Sequence, residues 1–258
     1  MASIPIGLQL YSVRHALAED LHGVLAAVAR MGYAGVEFFG PPQHAAGELR
    51  AALEDVGLVC CGWHVPFALL QDDALPNTVA FHQALGNHRL IAPGIPAELR
   101  RSRDDWLKLA GFFNRLAARL ADEGMVTGYH NHHHEFTPMD GETPWDAFFS
   151  HTDQAVIMQL DTGNARVAGA DVVGLIRKYP GRAVTVHLKP YDAAAGKDDP
   201  HAGFRPLIGA DDTDWDGFFQ ACETVGGTEW YIVEYESDAY PPLEAVDRCL
   251  QALRAMGK

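Results

Sequence analysis

The sequence predicts an α/β protein of the (β/α)8 (TIM) barrel class, forming a single domain over residues 1–258. Short apolar, β-branched runs alternate from end to end with longer segments of helical period, the pattern of repeated βα units. Eight such runs fit into 258 residues, the number and size that a closed barrel needs. The rival, a doubly wound open sheet, would carry a GxGxxG loop after its first strand, and LQLYSVRHA has none.

The strands are expected at 4–10 (IPIGLQL), 35–38 (GVEF), 58–63 (LVCCGW), 89–92 (RLIA), 125–130 (MVTGYH), 156–161 (VIMQLD), 183–188 (AVTVHL) and 230–235 (WYIVEY). Helical periodicity is expected over 21–31, 43–55, 103–123, 171–178, 214–225 and 242–256, with Asp or Pro near several starts and Gly32 closing the first. The longest irregular stretch, 190–213, follows strand seven. A loop of that length is usually functional, and it would lie on the barrel face where chemistry occurs.

Composition narrows the function classes. The 34 acidic side chains outnumber 20 Lys and Arg, giving a formal charge of −14 that repels polyphosphate, so nucleic acid is not an expected partner. No apolar stretch reaches membrane-spanning length, and no basic segment precedes an apolar run at the N-terminus, so neither a membrane nor secretion is expected. Cys60, Cys61, Cys222 and Cys249 show no CxxC spacing, in keeping with a reducing cytoplasm. The sequence is silent on oligomeric state and leaves a homo-oligomer open.

Polar residues recur at one place, the carboxyl end of the strand. Glu37, His64, His130, Asp161, His187 and Glu234 all fall there. One charged residue after a strand is usually a cap or a solvated turn, but six facing one barrel mouth form a candidate site. Carboxylates with one or two imidazoles suit a divalent cation of the manganese, cobalt or magnesium type that keeps positions open for substrate.

The segment GYHNHHHEFTP (128–138) lacks HExxH, which excludes the zinc-protease pattern. Alternation points His130 and His132 into the mouth and turns Tyr129 and Asn131 toward the helices. For His133 and His134, hydrogen bonding to loop carbonyls is the competing role. Tyr11, Phe38, Trp63, Phe67 and Trp215 are aromatic candidates for stacking on a sugar face, with core packing as the alternative for each. Arg205, in the long loop, is a candidate oxyanion contact or a surface ion pair.

GLQLYSVR (7–14), GYAGVEFFG (32–40), YHNHHHEF (129–136), LDTGN (160–164), VHLK (186–189) and IVEYE (232–236), in this order and spacing, resemble the xylose isomerase-like superfamily of sugar phosphate isomerases and epimerases, which includes inosose dehydratases and endonuclease IV. The resemblance covers nearly the whole chain. It implies one divalent metal ion (Mn, Co, Mg or Zn) held by Glu135, Asp161, His187 and Glu234. Many relatives place the glutamate directly on strand five, where this chain has His130, so His130 is the alternative donor there. Glu236 is the alternative to Glu234.

The resemblance further implies a small-molecule sugar substrate, a ketose or keto-sugar, whose carbon acid is deprotonated beside its carbonyl to an enediolate and reprotonated for isomerisation or epimerisation. Glu135 and Glu234 are the expected proton-transfer pair, with His132 or His64 as the alternative base and Lys189 near a substrate oxygen. Glu37, His130, Trp63, Arg205, Trp215 and Glu236 are the expected substrate contacts. Protonation of a departing oxygen would make the same site a dehydratase or lyase on a keto-inositol or 3-keto-glycoside. An endonuclease IV-like phosphodiesterase and a non-catalytic sugar-binding barrel are the more distant alternatives.

Overall fold

A computed structural model describes residues 3–258. Eight parallel strands close into a barrel in sequence order: β1 (Ile6–Gln9), β2 (Gly35–Phe39), β3 (Val59–His64), β4 (Arg89–Ala92), β5 (Val126–His130), β6 (Ile157–Asp161), β7 (Thr185–Leu188) and β8 (Trp230–Val233), which pairs back with β1. Helices follow the strands and cover the outside, so the predicted (β/α)8 class is the observed one.

Alternation along each strand divides the core in two. Leu8, Val36, Leu90, Tyr129, Leu160, Val186 and Val233 pack outward into the layer shared with the helices. The opposite parity turns inward, with Ile157 and Ile232 low in the barrel and polar residues stacked above them. Register sets those polar residues side by side: Gln9 lies opposite Glu37, His130 opposite Gln159 and Asp161 opposite His187.

The helix Arg103–Ala121 shows how sequence makes the outer layer. Ser102 accepts the Asp105 N–H at its start, Asp104 and Asp105 favour the positive end of its dipole, and Arg119 sits in the last turn. Trp106, Leu109, Ala110, Phe113, Leu116, Ala117 and Leu120 recur at three and four residues, and all are buried. Phe113 and Trp106 meet Tyr129 of β5 edge-on.

Two expected boundaries move for local reasons. The first strand ends at Gln9 because its side chain accepts the Tyr11 N–H, turning the chain into a 3-10 segment over Leu10–Val13. The helix expected to run to 225 stops at Ala221, and one π turn, Cys222–Gly226, carries the chain to β8. Helix Leu75–Leu85, which periodicity did not reveal, follows the third strand and hides His82 among aromatic rings.

Candidate active site

The carboxyl ends of the strands open into a cavity of about 920 Å³, near the upper end of the range for small-molecule sites. Its walls include Tyr11, Phe39, His64, His130, His132, Asn164, Lys189, Glu234 and Glu236. The long loop after β7 adds His201, Phe204 and Arg205 to the rim, where it was expected to lie.

Beneath this cavity the inward side chains form one hydrogen-bonded layer. Glu37 is its centre, receiving Gln9 Nε2 at 2.8 Å and Gln159 Nε2 at 2.8 Å, with His187 Nε2 at 2.6 Å. His64 Nε2 lies 3.2 Å from the same carboxylate and 2.7 Å from Gln159 Oε1. Burial pushes the Glu37 carboxyl up, but His64, His187 and the amide donors outweigh it, so the group stays ionised.

The layer requires small residues around it. A β-carbon at Gly62 would come within 2.5 Å of Glu37 Oε1. This glycine sits opposite Glu37 because the pairing jumps from Val36 with Cys60 to Glu37 with Gly62, leaving Cys61 as an extra residue.

Asp161 ends β6 and caps the helix Thr162–Val167, its Oδ1 accepting the Asn164 N–H at 2.7 Å. The rest of the LDTGN motif packs against β7. Thr162 Oγ1 donates to the Lys189 carbonyl at 2.8 Å, and a side chain at Gly163 would collide with Lys189 at 2.9 Å. Asn131 binds the Asp161 backbone on both sides, accepting its N–H at 2.8 Å and donating to its carbonyl at 3.1 Å. The other carboxylate oxygen, Oδ2, is fully buried yet has no hydrogen-bond partner among the described residues. Burial raises the Asp161 carboxyl to about 7.

Around that oxygen stand the other donors. His130, Asp161, His187 and Glu234 each present an atom within 4.8 Å of every other, and all four are buried. His130 Nε2 lies 3.9 Å from Asp161 Oδ2, and His187 Nδ1 lies 2.5 Å from Glu234 Oε2. Burial lowers the His187 imidazole, but Glu37 and Glu234 at its two ring nitrogens raise it to about 10. An unpartnered carboxylate oxygen among two imidazoles and a second carboxylate is a donor set that fits a divalent ion.

Lys189 reaches Glu234 Oε1 at 3.3 Å and also pairs with Glu236, which lines the cavity. Burial works against its charge, but Glu234, Asp161 and Glu236 hold the ammonium above its ordinary range. Burial, followed by the Glu234 charge, raises the Glu236 carboxyl. His132 faces the same cavity; burial lowers its imidazole to about 4, leaving it neutral near pH 7 with Nδ1 unbonded among the described residues.

Four expected site residues sit elsewhere. Glu135 lies in the short 3-10 segment His134–Phe136, where the chain has already turned out of β5. Its carboxylate accepts from the outward-facing Tyr129 hydroxyl and from the His132 N–H at 2.8 Å, and His134 Nε2 is 2.8 Å away without hydrogen-bond alignment. It is therefore turned away from the donor group, and His130 occupies the strand-five position. Glu37 lies below the cavity instead of lining it. Trp63 has the outward parity of β3, stacked on Phe38 and bonded to the Gly40 carbonyl. Trp215 packs on Phe219 and donates to Asp211.

His64, His130, His132, Lys189, Arg205, Glu234 and Glu236 do line the cavity. Sequence reasoning passed over Gln9 and Gln159, although both share the parity of an acidic strand-end residue or its neighbour. It also passed over Asn131, which it left facing the helices.

A closed parallel barrel with this polar layer at its carboxyl end defines a (β/α)8 protein whose candidate site lies where such barrels carry theirs. The chain belongs to the xylose isomerase-like TIM barrel family, whose profile matches residues 25–256. It is 24% identical over 246 residues to the rhizopine catabolism protein MocC of Rhizobium meliloti, covering 84% of this chain and 75% of that protein. An inosose dehydratase of Klebsiella pneumoniae is 27% identical over 150 residues, covering 53% of this chain and 50% of that enzyme. The chain thus spans about half the length of the inosose dehydratases it matches. Among solved structures, a sugar phosphate isomerase/epimerase from Parabacteroides distasonis superposes with a TM-score of 0.83 at 24% identity, over 99% of this chain and 95% of that one. An L-ribulose 3-epimerase superposes with a TM-score of 0.70 at 17% identity, over 99% and 94%. These superpositions establish the shared fold.

Proposed function

We propose that this protein is a divalent-metal-dependent sugar isomerase or epimerase acting on a ketose or keto-sugar. The observation that carries the proposal is the buried quartet His130, Asp161, His187 and Glu234, with its unpartnered Asp161 oxygen, of which His130 and Glu234 line the cavity. The sequence similarity to inosose dehydratases and the fold shared with an L-ribulose 3-epimerase support the same substrate class. Mn, Co, Mg or Zn held by the quartet would supply Lewis acidity toward a carbonyl and its neighbouring hydroxyl.

The chain's own residues do the rest. His132, neutral and open to the cavity, is placed to take the proton beside the carbonyl. Glu236, whose carboxyl burial and then Glu234 raise above its ordinary range, is placed to return one, with Lys189 fixing its position. They follow β5 and β8, three steps apart in the barrel order, and both line the cavity. Arg205 and Asn164 are left as contacts for substrate oxygens.

A second reading, dehydratase or lyase, has its own support in the sequence relatedness to inosose dehydratases. There Glu236 would protonate a departing oxygen instead of a carbon. The test begins with elemental analysis of protein purified without chelator. It continues with metal-loaded protein in deuterium oxide, screening ketoses and keto-inositols by NMR and ultraviolet absorbance. Deuterium in an isomerised or epimerised product supports the isomerase; growth of a conjugated enone absorbance supports the dehydratase. A protein that binds no divalent metal even when one is added defeats both.

A further inference from the structure

The donor quartet works only if each histidine offers the correct nitrogen, and the layer beneath it fixes that choice. We infer that Glu37 and Gln159 are positioning residues which hold His187 with its Nδ1, and His130 with its Nε2, turned toward the ion site. This inference rests on the metal reading above and goes beyond it, because it assigns a function to two residues that touch neither metal nor substrate.

The chain of constraint starts from Glu37. An ionised carboxylate only accepts hydrogen bonds, so the Gln159 group 2.8 Å from Glu37 Oε1 is the amide NH2. The same NH2 donates to Thr185 Oγ1 at 3.0 Å, which uses its second proton. Gln159 Oε1 is thereby fixed on the opposite side, where it can only accept. It faces His64 Nε2 at 2.7 Å and His130 Nδ1 at 3.1 Å, so both nitrogens must carry a proton. A neutral His130 protonated at Nδ1 has its lone pair on Nε2, the atom directed at Asp161 Oδ2.

His187 is set by the same carboxylate. Its Nε2 lies 2.6 Å from Glu37 Oε2 and donates to it, while Nδ1, 2.5 Å from Glu234 Oε2, is the nitrogen turned toward the quartet and the one that would give up its proton to an ion. Glu37 thus stands to His187 as an outer carboxylate stands to a ligating histidine, and through Gln159 it also governs His130. Gln9 Nε2, at 2.8 Å from Glu37, only holds the carboxylate in place.

Glu37 is completely buried and absent from the cavity wall, so it is unavailable as a substrate contact. Its four partners come from β1, β3, β6 and β7, which makes a single acid the reference point for half the barrel.

The test needs no substrate. In protein loaded with zinc and labelled with 15N-histidine, long-range 1H–15N spectra should show His187 metal-bound at Nδ1 and protonated at Nε2, and His130 metal-bound at Nε2 and protonated at Nδ1. Glu37→Gln and Gln159→Met, each checked for folding by circular dichroism, should weaken zinc or cobalt binding by about 10- to 100-fold in chelator competition. Gln9→Met should change it by less than about threefold, and the cobalt absorption spectrum should shift in the first two variants only.

The opposite nitrogen pattern in the wild type would overturn the inference, and this arm stands even where a variant fails to fold. Wild-type affinity and spectrum in folded Glu37→Gln would overturn it as well. Absence of metal binding by the wild-type protein would instead defeat the reading on which it rests.

Discussion

Asn131 gives the most informative single perturbation. Its amide accepts the Asp161 N–H at 2.8 Å and donates to the Asp161 carbonyl at 3.1 Å, and both residues are fully buried. Asn131→Leu preserves the volume closely and removes both partners, so the expected loss is polar and not cavity-driven. Two buried backbone groups left unpaired, at about 1–3 kcal/mol each, give an expected loss of roughly 2–4 kcal/mol once some relaxation is allowed. Urea unfolding of the metal-free protein, followed by circular dichroism, measures it. Because the clamp also aims the Asp161 carboxylate, metal affinity by chelator competition should fall by about 10- to 100-fold in the same variant. A stability change below about 1 kcal/mol together with unchanged affinity would refute the clamp and, with it, the view that β5 positions a donor on β6.

Three other outcomes follow from positions described above. Glu135→Gln should leave metal affinity within about threefold while His130→Ala lowers it at least tenfold; the reverse order in chelator competition would restore Glu135 as the strand-five donor. Gly163→Ala, which drives a methyl group to within 2.9 Å of the Lys189 chain, should cost about 1–3 kcal/mol in urea unfolding, and a neutral result would mean that β7 yields freely. His82, remote from the cavity, has its imidazole lowered to about 4 by burial. The unfolded chain therefore takes up a proton below about pH 6.5 that the folded state refuses until about pH 4, so stability is lost as pH falls through that window. His82→Gln should abolish about 3 kcal/mol of that loss between pH 7 and 4, read from urea midpoints at both ends, and parallel wild-type and variant profiles would exclude His82 as the cause.

The fold was legible because hydrophobic periodicity separates short buried strands from amphipathic helices, and helix 21–31 was located to the residue. The inward parity of strand-end residues was enough to bring Asp161, His187 and Glu234 together. It failed at Glu135 because alternation ends with the strand: β5 stops at His130, and the following turn carries the glutamate outward to Tyr129. Trp63 neighbours an inward histidine and so had to face the helices, a consequence of parity that the aromatic character of the residue obscured. Gln9, Gln159 and Asn131 escaped notice because an uncharged amide carries no chemical signal of its own, and its importance comes from partners 28 to 122 positions away.

The bare α-carbon of Gly62 shapes what this barrel can become. The central acid occupies volume surrendered by the strand beside it, so residues 37 and 62 form one unit of variation split between two strands. A library that changes either position alone samples collisions or voids, whereas paired changes explore alternative floors for the same cavity. Grafting this donor layer onto another eight-stranded scaffold therefore requires copying an absence, the missing side chain on the third strand, along with the four residues that would grip the ion.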